Sequence, residues 1–211
     1  MASMSNVLRS VSVSGVYRLA ARRIVLPWVL GQVRPAGSLL EIGAGSGAMS
    51  AELLARHGDL TAVVTDFDPR MVESAQRVLA PFGARATARQ ADATALPFED
   101  GRFDVVLSCG MLHHVGDWRT ALAEVVRVLR PGGRFVGYVI VRTRPVELLG
   151  LGTATMIRPG ELREAFAELP VTAGVSGSSL TRFSAVKRWR RPGSPVSASR
   201  APARRARGCS R

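Results

Sequence analysis

The stretch SLLEIGAGSGA, residues 38–48, decides the fold: a short apolar run ends in three alternating glycines and leads into a segment with helical spacing that stops before Gly58. Glycine lets the chain turn sharply and lets a ligand approach the backbone, and the N-terminus of a following helix favours an anionic group. A structural turn alone would not need three alternating glycines. The pattern therefore predicts a strand, a ligand-binding loop and a helix over Ala48–His57.

The alternation of strand and helix continues to residue 141. Further strands are predicted at Leu60–Thr65, Ala86–Gln90, Phe103–Ser108 and Arg134–Val141, with helices at Arg70–Leu79, Trp118–Leu129 and Pro159–Leu169. Such alternation is typical of a parallel sheet with helices on both faces. The last two strands, Val171–Gly177 and Thr181–Val186, are too close in sequence for a crossover helix and should pair antiparallel. We expect an α/β fold with a Rossmann-like doubly wound sheet of about seven strands, mostly parallel with an antiparallel last strand.

The net charge of +13 sits at the two ends of the chain. Residues 1–39 hold five arginines and residues 187–211 hold nine basic residues, with no acid in either segment, so residues 40–186 sum to −1. The basic ends are therefore weak support for a nucleic-acid enzyme, and at most they predict a tether to something anionic. With 46% hydrophobic and 21% charged residues, the composition is globular and excludes a collagen-like, disulfide-scaffold or multi-pass membrane protein.

Three regions are predicted from this distribution. Residues 1–37 should form an N-terminal helical cap, because Val16–Leu30 has apolar residues at roughly helical spacing. A cleaved presequence is the alternative there. Residues 38–188 should form the folded domain. Residues 189–211, which consist largely of Arg, Pro, Ser and Ala, should form a disordered Arg-rich tail.

Two carboxylates follow the next two predicted strands. Asp66 closes the second strand about 20 residues past the glycine loop, where an acid can accept hydrogen bonds from both hydroxyls of a ribose. The alternative role, capping the next helix, suits Asp68 better because it directly precedes Pro69. Asp92, in the segment ADATALPF (residues 91–98), is placed to accept from an exocyclic amine, with an Asx turn as the alternative.

Two more segments complete the pattern: FDVVLSCGMLHHV, residues 103–115, and RVLRPGG, residues 127–133. Together with the glycine loop and the acidic segments, they resemble the class I S-adenosylmethionine-dependent methyltransferases, most of all the small-molecule branch with ubiquinone- and menaquinone-biosynthesis-type enzymes. The match covers roughly residues 38–141 in motif order and spacing and extends loosely to 188. It implies S-adenosylmethionine as the cofactor and in-line methyl transfer to a small-molecule acceptor, lipid or quinone-like.

The resemblance also implies a set of cofactor-binding residues. The glycine loop approaches the methionine portion, the ends of the next two strands hold the ribose and the adenine, and the end of the fourth strand lies near the methyl group. In that order the residues are Glu41, Gly43, Ala44, Gly45 and Gly47, then Asp66, Phe67, Asp92 and Ala93, then Ser108 and Cys109. The thiol of Cys109 is expected to be a small buried group rather than a nucleophile.

A general base is needed only if the acceptor carries a proton when it attacks, because a sulfonium is already a good leaving group. His113 and His114 follow the fourth strand at the mouth of the sheet and are the candidate catalytic bases, with packing or capping of the loop as the alternative. Tyr17, Trp28 and Tyr138 are candidates for the acceptor pocket, and core packing is favoured for Trp28 and Tyr138.

Other functions stay open from the sequence. A methyltransferase acting on nucleic acid or protein would use the basic tail as a tether, and a non-catalytic S-adenosylmethionine-binding protein would carry the same motifs. A nicotinamide-dependent oxidoreductase is disfavoured because the segments around Asp92 and His113 have no role in it. No metal-ligand spacing is present, so no metal is expected. We expect a cytoplasmic protein, with peripheral contact to an anionic membrane surface through the basic ends as an option.

One segment departs from the family pattern. Residues 141–145, VRTRP, stand where an acidic or polar active-site loop is usual. The segment that follows is short, which leaves little chain to build a substrate lid. The acceptor pocket is therefore expected to be open, or to be completed by residues 1–35.

Overall fold

The computed structural model describes residues 21–148 and 156–189. In this part of the chain seven strands form one sheet: β1 (Ser38–Ile42), β2 (Thr61–Asp66), β3 (Ala86–Gln90), β4 (Phe103–Cys109), β5 (Leu129–Ile140), β6 (Val171–Gly177) and β7 (Leu180–Lys187). Their order is β3-β2-β1-β4-β5-β7-β6. Neighbours from β3 to β5 pair parallel, and β7 is antiparallel to both β5 and β6. The expected fold class is confirmed.

Helices cover both faces of the sheet. They are α1 (Leu26–Leu30), which follows a π-helical turn at Ala21–Val25, α2 (Ala48–Arg56), α3 (Pro69–Leu79), α4 (Trp118–Val128), α5 (Arg144–Leu148) and α6 (Glu161–Glu168), with 3-10 turns at Ala80–Arg85 and Leu112–His114. Buried side chains of α1, α2 and α3 form one hydrophobic core with one face of the sheet, and those of α4 and α6 form a second core with the other face.

The strand order reverses at the centre of the sheet. From β1 the chain moves outward to β2 and β3, and it then returns to place β4 on the other side of β1. In open α/β sheets, ligands bind in the crevice outside the carboxyl ends of the strands at such a reversal. The glycine loop, between β1 and α2, lies at this point.

Three phenylalanines fix the far half of the sheet. Phe183 of β7 lies with its ring centroid 4.7 Å from that of Phe135 in β5 and 5.7 Å from that of Phe166 in α6, and all three side chains are buried. Aromatic pairs of this kind contribute about 0.5–1.5 kcal/mol beyond the burial of their area. The antiparallel strand is thereby held firmly against β5.

The helix starts follow the expected chemistry. The Asp68 side chain accepts a hydrogen bond from the Arg70 amide at 3.0 Å and caps α3, as predicted, with Pro69 at the first helical position. Asp117 caps α4 in the same way, accepting from the Thr120 amide at 3.1 Å. With the cap of α3 assigned to Asp68, the carboxylate of Asp66 is left for another role.

Several predicted boundaries are wrong. The helix α4 ends at Val128, and β5 begins at Leu129 rather than Arg134, because Leu129 already pairs with Phe103 of β4. The Pro-Gly-Gly sequence is an irregularity inside the strand, where the register with β4 shifts, and the Lys187 Nζ donates to the Leu129 carbonyl at 2.6 Å. The helix α6 begins at Glu161 rather than Pro159, since the residue between them, a glycine, has a non-helical φ of 94°.

The predicted cap and tail lie largely outside the described residues, as does Tyr17. The described end of the predicted N-terminal helix is the π-helical turn and α1. Leu26 and Val29 of α1 are fully buried, which turns Trp28 outward at 37% exposure. The core-packing expectation for Trp28 is therefore wrong. No helix among the described residues is long and apolar enough to cross a membrane.

Candidate active site

The glycine loop has two kinds of glycine. Gly43 and Gly45 both have a φ near +60°, a conformation that side chains rarely adopt. A Cβ at Gly43 would overlap the side chain of Met111, whereas a Cβ at Gly45 would meet no atom within 4 Å. The first glycine therefore permits close packing between two loops, and the second leaves the backbone open to a ligand.

Asp66, the last residue of β2, turns its carboxylate toward this loop. Its Oδ2 accepts from the Gly45 amide at 2.8 Å, and its Oδ1 accepts from the Asp68 amide at 2.9 Å. Burial raises the pKa of Asp66 despite these hydrogen bonds. The side chain therefore joins the end of β2 to the open glycine.

Glu41 lies beneath the loop in β1 and is 1% exposed. Its Oε2 accepts from the Ser50 hydroxyl at 2.5 Å and from the Ser50 amide at 3.1 Å. Burial raises the pKa of Glu41 to about 7, so the carboxyl is neutral for part of the molecules at physiological pH. It ties β1 to the first turn of α2 and supports the loop from below.

Asp92 follows β3 and forms the Asx turn that stood as its alternative role. Its Oδ1 accepts from both the amide and the hydroxyl of Thr94 at 2.8 Å. Among the described residues, the other carboxylate oxygen accepts no hydrogen bond. Asp92 is connected to Asp66 through the Ala91 amide, which donates to the Asp66 carbonyl at 3.1 Å. Phe67, 46% exposed, lies beside them. We call this region, the carboxyl ends of β1, β2 and β3, the glycine-loop edge.

The two residues at the end of β4, Ser108 and Cys109, have polar side chains in apolar surroundings. Ser108 is fully buried, and its hydroxyl has no hydrogen-bond partner within residues 21–148 and 156–189. Burial raises the pKa of the Cys109 thiol well above its usual range, so the sulfur is protonated at neutral pH and is a poor nucleophile.

The two histidines lie in the turn that follows β4, with ring centroids 4.1 Å apart. His113 is 4% exposed, and burial lowers its pKa to about 3. His114 is half-buried, and burial lowers its pKa as well. Both imidazoles are therefore neutral at pH 7, and a lowered pKa makes each a weaker base.

A row of side chains crosses β4, β5 and β7 at the same height. Cys109 pairs with Tyr138, and Tyr138 pairs with Arg182. The Tyr138 phenol packs over Gly110, where a Cβ would lie 3.0 Å from its oxygen, and its ring centroid is 6.0 Å from that of Trp28. The Arg182 Nε donates to the carbonyl of Val29 in α1 at 3.1 Å. We call this region, the carboxyl ends of β4 and β5 with the start of β7, the tyrosine edge.

Sequence reasoning missed three of these residues. Ser50 is a polar residue on the buried face of α2, and that position was the available signal. Met111 and Arg182 had no local signal, because each contacts a residue far away in sequence. Within the described ranges, no group of three or more His, Cys, Asp or Glu residues is placed to hold a metal ion.

The sheet order with its single antiparallel strand defines a Rossmann-like fold, and the glycine loop and two strand-end carboxylates lie where the strand order reverses. Residues 40–137 match the family described as the methyltransferase domain. This segment, somewhat less than half of the chain, is therefore similar to a methyltransferase domain.

Individual proteins agree with this placement. The chain is 38% identical over 148 residues to the demethylmenaquinone methyltransferase of Clavibacter sepedonicus, covering 70% of this chain and 56% of that protein. The chain thus spans little more than half of that relative. An uncharacterized protein of Mycobacterium tuberculosis is 29% identical over 191 residues, covering 82% of this chain and 68% of that one. A SAM-dependent methyltransferase from Aquifex aeolicus shares the fold, with a TM-score of 0.68 at 14% identity, over 87% of this chain and 98% of that one.

Proposed function

We propose that the chain transfers a methyl group from S-adenosylmethionine to a small, quinone-like acceptor. The observation that carries the proposal is the glycine-loop edge, where an open glycine and two strand-end carboxylates meet. The similarity to a demethylmenaquinone methyltransferase supports both the reaction and the class of acceptor.

The residues of the glycine-loop edge fit the polar groups of this cofactor. Its ribose hydroxyls, adenine amine and methionine amino group are all donors, so they need acceptors. Each carboxylate oxygen has more than one lone pair, so Asp66 can accept from the ribose hydroxyls while it keeps its backbone hydrogen bonds. Asp92 has an oxygen left for the amine, and Gly45 leaves room for the methionine portion. The remaining proposed contacts are Glu41, Gly43, Ala44, Gly47, Phe67, Ala93, Ser108 and Cys109.

The tyrosine edge is the proposed acceptor side. The bound cofactor supplies a methyl group on a sulfonium, so the protein's main tasks are to align the acceptor and to exclude water. The rings of Tyr138 and Trp28 offer apolar faces suited to a flat quinone-like ring. Among the two candidate bases, half-buried His114 is better placed to take a proton than His113, whose burial and low pKa suit packing.

The proposed organisation follows from these assignments. Residues 38–188 are the methyltransferase domain, 1–37 a helical cap over the tyrosine edge and 189–211 an Arg-rich tail. The contact between Arg182 and α1 supports the cap, because it attaches the described end of that segment to the sheet. The basic ends would bring a soluble enzyme to an anionic surface.

A labelled-methyl assay tests the reaction. The chain is incubated with radiolabelled S-adenosylmethionine and a demethylated naphthoquinol, and in parallel with lipid, RNA and protein fractions. Transfer to the naphthoquinol is expected. Transfer only to RNA or protein would replace the acceptor class, and cofactor binding without any transfer would favour a non-catalytic binding protein. Preferential binding of NADH would overturn the proposal as a whole.

A further inference from the structure

A depression of about 760 Å³ lies just beyond the carboxyl end of β5. It is lined by Arg142, Thr143, Arg144, Glu147, Arg158 and Pro159. Its backbone is fixed from two sides, because the Arg142 amide donates to the Ile157 carbonyl at 2.8 Å and the Val141 amide donates to the Ser179 carbonyl at 2.9 Å. None of these residues has been assigned to the cofactor.

The depression has an excess of positive charge. Arg142 forms an ion pair with Glu147 at 2.5 Å, which neutralises one of the three guanidinium groups. Neither Arg144 nor Arg158 forms an ion pair within the described parts of the chain. The nearby carboxylate of Glu161 accepts from the backbone amide of Arg158 at 2.8 Å, and so caps the chain there. Two exposed guanidinium groups are left facing the same space.

Apolar side chains flank these arginines. Leu148, 88% exposed, ends the helix α5 that Arg144 begins, and Leu180 is 45% exposed. Leu180 directly follows Ser179, whose hydroxyl is 2.6 Å from that of Thr143. Cationic groups with exposed leucines nearby in the chain suit a ligand with an anionic head and an apolar body.

We propose that this depression binds a phosphate group through Arg144 and Arg158. The planar guanidinium fork matches phosphate oxygens and can donate two parallel hydrogen bonds. The depression adjoins the tyrosine edge, because it begins just beyond the carboxyl end of β5. The phosphate belongs either to a lipid headgroup or to a soluble phosphorylated molecule. The proposal goes beyond methyl transfer and does not depend on it.

The test compares two double variants of the full chain. Arg144→Gln with Arg158→Gln removes the two guanidinium groups of the depression. Arg77→Gln with Arg134→Gln removes two exposed arginines elsewhere, on α3 and in the middle of β5, with the same change in net charge. Both retain the basic ends, so nonspecific attraction to anions is equal. Binding of inorganic pyrophosphate is measured by calorimetry, and binding to phosphatidylcholine vesicles with and without phosphatidylglycerol by cosedimentation.

We expect the depression variant to lose about tenfold in affinity relative to the control variant, as befits loss of charge-assisted hydrogen bonds. A loss in the pyrophosphate titration alone identifies a soluble ligand, and a loss with phosphatidylglycerol vesicles identifies a lipid headgroup. Equal affinities of the two variants in both titrations would overturn the proposal. The thermal unfolding midpoint of each variant verifies folding independently of cofactor binding, so a failure of the proposed methyl transfer would be recognised separately.

Discussion

The glycine-loop edge and the tyrosine edge lie side by side on one sheet but are assembled over very different distances along the chain. At the glycine-loop edge, Asp92 bonds to a residue two positions away, Glu41 to one nine away, and Asp66 to one 21 away. At the tyrosine edge, Arg182 bonds to Val29 across 153 residues. A local motif can therefore specify the first region, whereas the second exists only once the whole sheet has formed.

The largest effect is expected where the two edges touch. Gly43→Ala would force Met111 away and strain the backbone, and should lower the free energy of unfolding by about 3 kcal/mol. Gly45→Ala meets no neighbour and should cost only about 1 kcal/mol. Urea unfolding measures both. Equal losses would show that the Met111 contact has no energetic importance, and adding Met111→Ala to Gly43→Ala should recover part of the loss.

Asp66→Ala comes next and acts on the glycine-loop edge alone. It should weaken binding of S-adenosylhomocysteine about 100-fold, because a charged acceptor for two hydroxyls and the hydrogen bond to Gly45 are lost together. Asp59→Ala, exposed before the start of β2, is the matched control and should leave the affinity unchanged. Calorimetry decides; if Asp66→Ala bound as the parent does, the ribose assignment would be wrong.

Glu41 gives the glycine-loop edge a pH dependence. Its pKa in the folded chain is raised to about 7 from 4.5, so its contribution to stability is fully present below pH 4.5 and is lost as the pH rises through 7. Glu41→Gln removes this loss. The variant should gain about 2 kcal/mol over the parent between pH 5 and pH 8, since each pKa unit corresponds to 1.36 kcal/mol. Urea unfolding of both proteins at pH 5 and at pH 8 measures this gain. If the difference in unfolding free energy between variant and parent were the same at both pH values, the raised pKa of Glu41 would be wrong.

Arg182→Met tests the tyrosine edge. It removes the hydrogen bond to Val29 and loosens α1, which should cost about 1 kcal/mol of stability. The KM for the acceptor should rise while the affinity for S-adenosylhomocysteine stays constant. Arg134→Met, at an exposed position in the middle of β5, is the control. A parallel loss of cofactor affinity would mean that the two edges are not separable.

The smallest effect is expected from deleting residues 190–211. If this segment is the disordered tail that its composition predicts, removal should change the unfolding free energy by less than about 0.5 kcal/mol. Both edges should keep their ligand affinities. An unfolded or cofactor-deficient truncation would show that the tail is part of the folded domain.

The sequence was informative wherever a structure depends on near neighbours. The alternation of strands and helices predicted the sheet, and Asp68 with Pro69 predicted the start of α3. The Asx turn of Asp92 was predicted only as the alternative to binding a ligand amine. The two roles do not exclude each other, because one carboxylate can form a local turn with one oxygen and bind a ligand with the other.

The failures have a common physical cause. β5 starts early because Leu129 pairs with Phe103, a contact that helix-breaking Pro and Gly do not reveal. Trp28 was expected to pack in the core, but Leu26 and Val29 occupy the buried face of α1, and Trp28 is turned outward. Met111 against Gly43 and Arg182 against α1 are tertiary contacts, and no spacing rule encodes them.

The pair formed by Trp28 and Tyr138 provides an intrinsic fluorescent probe at the tyrosine edge. Their ring centroids are 6.0 Å apart, and the indole is partly open to solvent. Excitation of the tyrosine passes readily to a neighbouring indole, and quinones quench indole emission on contact. With Trp118 and Trp189 replaced by Phe, the remaining fluorescence would report arrival of an aromatic molecule at the tyrosine edge in real time, without any label.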